Sequence, residues 1–268
     1  MWFKKPDPAK IGLKRPTIKD GRVALRYAFR GADRPQIIGG EFAGPYAFYG
    51  AKQALVKGGA YTGDLCFYAA EKAQVEDGVF SGKSAFMGSQ GCVAAGGQFT
   101  GQWAFCESNG AVIKGGEFSG EGVLSESHDA RIKGGEFRGP ETGRLSHGLV
   151  ITGGHFHEPG FLKNSTGAIV LGGAVSGAGA FEGAKDLRAL ISGEMPELLA
   201  PISGVIACRK IGRIVLPQGM PEGLVIVAEE VGEGAEHARI IPPGSLPAPG
   251  DDPTQALTAL ELLSGEAA

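Results

Sequence analysis

The chain has 268 residues, 46 of them glycine, with 26 Lys and Arg against 29 Asp and Glu for a net charge of −3. The glycines do not follow a three-residue period, which excludes collagen, and no apolar stretch reaches the roughly 18 residues of a membrane span. No signal-peptide pattern of basic start, apolar stretch and small-residue cleavage site is read in the sequence, and Cys66, Cys92, Cys106 and Cys208 show no CxxC spacing, so free, buried thiols in a reducing cytoplasm are expected, without zinc or disulfides.

In chain order, residues 1–36 come first as a basic N-terminal segment and cap, with ten Lys or Arg against three Asp. No recognised motif accompanies this charge, so nucleic acid is not an expected partner. The opening MWFKKPDPAK sets Trp2 and Phe3 beside Lys4 and Lys5, a pairing that suits weak, reversible contact with an anionic membrane surface. Its alternative reading is a terminal pair docked on the cap. RVALRYAF, from Arg22 to Phe29, reads as a first strand or cap.

Residues 37–188 then carry a 19-residue repeat, eight times: a double glycine, or Asp77-Gly78 once, followed in all units but the last by an aromatic residue two positions on, as in GGEFAG at Gly39 and GGQFTG at Gly96. A coil this short cannot bury its apolar side alone and must stack on its neighbours. One column runs Ile37, Val56, Val75, Ala94, Ile113, Ile132, Ile151 and Val170, and a second lies two residues earlier, from Ala54 to Leu187. That offset is the strand period, so both face inward. Further inward columns run from Phe42 to Phe156, ending in Val175, and from Phe48 to Phe181, missing at Gly143. The expected fold is all-β: a right-handed parallel β-helix with three short strands per turn, eight regular coils standing roughly 38 Å tall, one to three irregular coils after them, and a short C-terminal helix. The second glycine of each pair, Gly40 through Gly173, never varies, as a positive φ at a corner requires.

With these columns the chain resembles the single-stranded right-handed β-helix superfamily that includes pectate lyases and polygalacturonases. Units such as FAGPYAFYGAK, FSGKSAFMGSQ and FTGQWAFCESN are similar to those of uncharacterised bacterial β-helix proteins. The resemblance covers residues 37–188 and implies the architecture, not a chemistry. The N-terminal Trp2-Phe3-Lys4-Lys5 start resembles the membrane-targeting peptides of bactofilins, which are cytoplasmic, polymer-forming β-helix proteins; that likeness implies polymerisation and membrane association.

Outward columns are the candidate sites. Glu117, Glu136 and His155 follow one another just after the glycine corner, and Arg138 and His157 lie two residues on, so all five share a face. Paired carboxylates with a nearby His and Arg suit a glycan hydrolase or lyase; the bland reading is a ladder balanced by Lys114 and Lys133. A serine column, Ser89 through Ser165, is expected to satisfy turn backbone groups, and the contiguous Ser127-His128-Asp129 cannot assemble a triad. His128 and His147 stack at a corner away from His155 and His157, so no metal and no cofactor is expected. Tyr46, Tyr49, Tyr68 and Trp103, with Leu65, Met87 and Cys106, form an outward aromatic strip that suits carbohydrate, or burial under a terminal segment or second subunit.

Residues 189–231 read as degenerate coils and a C-terminal cap, and 232–268 as a Pro/Gly linker and a short helix. The helix starts with Asp252 as N-cap and Pro253 in the first turn and presents Leu257, Leu260 and Leu262 or Leu263 to its own solenoid. From 189 onward four Lys or Arg stand against eleven Asp or Glu, opposite in sign to the N-terminus. Two functions are carried forward: a non-catalytic cytoplasmic scaffold that self-associates through its ends, and a glycan- or polymer-binding or -cleaving protein using the Glu117, Glu136, His155 face.

Overall fold

The computed structural model describes residues 11–246 and 253–264, the side chains of 253–254 and 263–264 excepted. Trp2, Phe3, Lys4, Lys5 and Asp252 therefore lie outside the described residues. The chain forms an all-β parallel solenoid. Each 19-residue coil gives a three-residue strand to one sheet and a two-residue strand to another, and equivalent positions pair: Ile37 with Val56, Phe42 with Tyr61. Among the described residues the first sheet has 13 strands, running from Thr17–Lys19 to Arg239–Ile240; the second has nine, from Arg22–Val23 to Ala174–Val175. Single bridges from Lys14–Asp33 to Thr166–Lys185 form a third line of pairing.

The stack begins one coil before the first double glycine. Asp20-Gly21 takes the place of Gly39-Gly40, Ile18 pairs with Ile37, and Val23 with Phe42. Asp20 and Asp77 both hold the left-handed conformation, with φ of 44° and 59°, which a short polar side chain tolerates. The second glycine of each pair has φ between 89° and 118°, as the corner demands.

The third side of the coil is not a strand. Residues 45–50 and their equivalents are turns, in which single residues such as Tyr46 (57°), Leu65 (54°) and Trp103 (58°) take positive φ. These inversions aim Phe48 and its equivalents inward while coil-to-coil hydrogen bonds continue, for example Phe48 N–H to the Cys66 carbonyl at 2.7 Å. An inward pattern thus arises from turns as well as from a pleated strand.

Because the coils stack in register, the aromatic columns become parallel ring stacks. From Tyr61 to Phe137 successive centroids are 4.6–4.7 Å apart and tilted by 5–6°. A second stack, Phe29, Phe48, Phe67, Phe86 and Phe105, has spacings of 4.7–5.1 Å. Both spacings lie near the strand separation and within the roughly 4.5–7 Å of favourable aromatic pairs. Where the second column lapses at Gly143, Leu162 occupies the vacated space and Phe161, fully buried, stacks on Phe156 at 3.9 Å.

After Leu187 the strands lengthen to Leu187–Leu199, Gly204–Val215 and Leu224–Glu233, still parallel, with a register shift between Ile191 and Glu194. Their apolar residues alternate to both faces because both are covered: the solenoid core takes Ala189, Ile191 and Ile206, and the C-terminal helix, Pro253–Ser264, covers Leu190, Val205, Ala207 and Val227. The helix docks on its own solenoid through Ala256 and Leu260, whereas Leu257 is only half-buried and Leu262 is exposed. An i, i+4 pair suffices to contact the flat sheet, which narrows the expected leucine face.

All four cysteines are free and buried. Burial, with Glu107 and Glu126 nearby, pushes the Cys106 thiol up to about 11, and burial pushes Cys208 up to about 11. Reactivity needs an accessible thiolate, so native protein at pH 8 is expected to leave all four unlabelled by a thiol-specific dye, and denatured protein to react at four. Rapid labelling of the native chain would contradict this packing.

Candidate functional site

The glycine corner turns each two-residue strand so that its first side chain faces outward. Gln98, Glu117, Glu136 and His155 stand in consecutive register on this face. Strand alternation buries Phe156 between His155 and His157, so both imidazoles sit on the outer surface. The structure brings four of the five candidate residues together. His155 Nδ1 lies 2.6 Å from Glu136 Oε1, His157 Nε2 lies 2.8 Å from Oε2, and Arg138 Nη2 lies 3.3 Å from Oε2. An ionised carboxylate only accepts, so each imidazole presents an N–H to it. Hydrogen bonds from His157 and His155 hold the Glu136 carboxyl below the ordinary carboxylate range.

Glu117 is the neighbour one coil below, and its strand pairs with that of Glu136. Both line a groove of about 700 Å³ that crosses the glycine corners from Gly59 to Gly135 and includes Val79 and Gln98. The arrangement gives one ionised carboxylate surrounded by donors. For Glu136 this is the opposite of the protonated carboxyl group of raised pKa that general-acid glycoside cleavage uses. The partners of Glu136 are Arg138, His155 and His157, not the lysines three residues before each glutamate.

The serine column faces inward instead of outward. Ser89, Ser108, Ser127, Ser146 and Ser165 are buried, and Ser127 and Ser146 each donate to the carbonyl three residues earlier at 2.6 Å. His128 and Asp129 are exposed while Ser127 is buried, which separates the three chemically. His128 and His147 are neighbours with centroids 6.1 Å apart and rings tilted by 38°, and neither belongs to the Glu136 cluster.

On the turn side, Tyr46, Tyr49 and Tyr68 are half-buried, mainly against one another: Tyr49 and Tyr68 stack at 5.5 Å, and Tyr46 meets Tyr68 at 6.2 Å. Trp103 is exposed and stands three coils above Tyr46 in the same column, against Gly122, while Cys106 is buried. Residues that the sequence reading missed extend the strip downward. Tyr27 stacks on Tyr46 at 5.0 Å, and Arg26 and Arg30 lie 5.2–5.8 Å from the centroids of Tyr27, Tyr46 and Tyr49. Their signal was available, since Tyr27 precedes Tyr46 by one repeat, but Asp20 in place of the first glycine hid that unit.

No family model, no curated protein and no solved structure matches the chain, so neither the pectin-lyase-like nor the bactofilin resemblance gains support from comparison.

Proposed function

We propose that this protein is a non-catalytic, cytoplasmic structural solenoid that assembles end to end. The supporting observation is the pair of ends. At the N-terminal end both sheets finish on short parallel strands, Thr17–Lys19 and Arg22–Val23, with no strand beyond them among the described residues. Around them Lys14, Arg15, Lys19, Arg26 and Arg30 are exposed. At the other end Glu222, Glu233 and Glu236 are exposed around the last long strand. Open parallel edges recruit further strands, and opposite charges at the two ends select a head-to-tail order, which is heterologous and does not close. Four unpaired cysteines support the cytoplasmic setting.

Light scattering coupled to size exclusion tests this reading. The mass is expected to rise with protein concentration, to fall as salt is added, and to revert to monomer when Arg15 and Lys19 are changed to Glu. A strict monomer at every salt and protein concentration would remove the assembly.

A second reading rests on the groove beside Gln98, Glu117 and Glu136, whose run along several coils suits a linear polymer such as a glycan. Glu117→Ala with Glu136→Ala is then expected to abolish retention on the polysaccharide that the native chain binds. Unchanged binding across a glycan panel would sink that reading.

A further inference from the structure

We propose that Glu136, His155 and His157 form a binding site for one divalent transition-metal ion of the zinc type. One donor atom of each, a carboxylate oxygen and two ring nitrogens, all lie within 4.8 Å of one another on the outer face, and His155 Nδ1 and His157 Nε2 are the nitrogens that meet Glu136. The backbone beneath them is fixed twice. Glu136 pairs directly with His155, and on the inner face Phe137 stacks on Phe156 at 4.8 Å. Only side-chain torsions need to change for the three donors to surround an ion at about 2.0–2.2 Å, replacing the two N–H to carboxylate hydrogen bonds with metal bonds.

The donor set decides the ion. Two imidazoles and one carboxylate favour zinc, cobalt, nickel or copper over magnesium and calcium, which prefer oxygen alone. The next coil places Ala174 in register with His155, so nothing bulky closes the site from above, and Glu117 one coil below has a carboxylate to offer as a further ligand. Arg138, bonded to Oε2, is the competing cation and must release that oxygen. The remaining coordination positions open toward solvent and the groove. The pair His128 and His147 has no such carboxylate between its rings, and serves as an internal control.

The test uses tag-free, full-length protein treated with chelator and titrated with Co2+, read by its visible absorption, then with Zn2+ in competition by calorimetry. One saturable site per chain is expected, with Ca2+ failing to displace the cobalt. Losing even an outer partner of a metal ligand costs about 10–100-fold in affinity, so His155→Ala and His157→Ala should each weaken binding by at least about tenfold and Glu136→Gln should do likewise. All three positions are at least partly exposed, so the variants are expected to keep the native circular dichroism. The double variant His128→Ala, His147→Ala should bind as the native chain does. Absence of saturable Co2+ binding, its persistence when both His155 and His157 are Ala, or its loss in the His128, His147 control would each overturn the assignment.

Discussion

Gly120→Ala is expected to be among the most damaging single-methyl changes in the molecule, costing at least about 3 kcal/mol and preventing some of the chain from folding. Gly120 has no positive φ, so the cost does not come from backbone torsion. It comes from the coil below: a Cβ at Gly120 would overlap the carbonyl of Gly101, and the same collision recurs at Gly63, Gly82, Gly101 and Gly139 against the glycine one coil earlier. Here two backbones pass with no room for a side chain, and neither can retreat without breaking the ladder pairing of Phe99 with Phe118. Gly110 provides the contrast. Its φ is 63°, yet an added Cβ would meet nothing within 4 Å, so Gly110→Ala should cost only the left-handed penalty of about 1–2 kcal/mol. Chemical denaturation of both variants checks the order; a Gly120→Ala protein as stable as Gly110→Ala would show that the coils are not in this contact.

Phe99→Ala is the second large effect. Phe99 is fully buried, with Phe80 and Phe118 each 4.7 Å away in its own stack and Phe105 5.5 Å across the core. Truncation leaves a ring-sized void between two faces that the repeat holds at a fixed separation, so collapse is limited and a loss of about 3–5 kcal/mol is expected. Trp103→Ala removes a larger side chain that is 42 % exposed. Its loss should stay near or below about 1 kcal/mol. Equal losses in the two variants, measured by denaturant titration, would contradict the assignment of inside and outside.

The contrast between Phe99 and Trp103 also shows what the sequence discloses. A column that must be buried in every coil repeats its chemistry every 19 residues, so Ile37, Phe42 and Phe48 with their equivalents were readable without coordinates. The backbone of the turn side was not. Tyr46, Leu65 and Trp103 take positive φ although none is a residue type that favours it, because stacking overrides local preference where coil-to-coil hydrogen bonds compensate. Likewise, the third glycine of the motif, present in every unit but GGHFHE, reads as one more turn residue; only the close passage of Gly120 over Gly101 explains it. At the site, spacing alone put Glu117, Glu136, Arg138, His155 and His157 on one face. It did not show that both imidazoles converge on Glu136, since that depends on side-chain torsions, and the absence of a metal was therefore expected from the distance between the two histidine pairs.

The core, the groove and the Glu136 cluster all depend on coils stacked directly in register, and one distance tests that. Lys19 and Lys133 are exposed, occupy equivalent positions in their strands, and are separated by six repeats. With the native thiols buried, a Lys19→Cys, Lys133→Cys protein takes two spin labels only at those positions. Pulsed electron paramagnetic resonance should then give one narrow distribution centred near 29 Å, six strand spacings of about 4.8 Å. A broad distribution, or a centre displaced by more than the reach of the two label arms, would contradict the stacked solenoid.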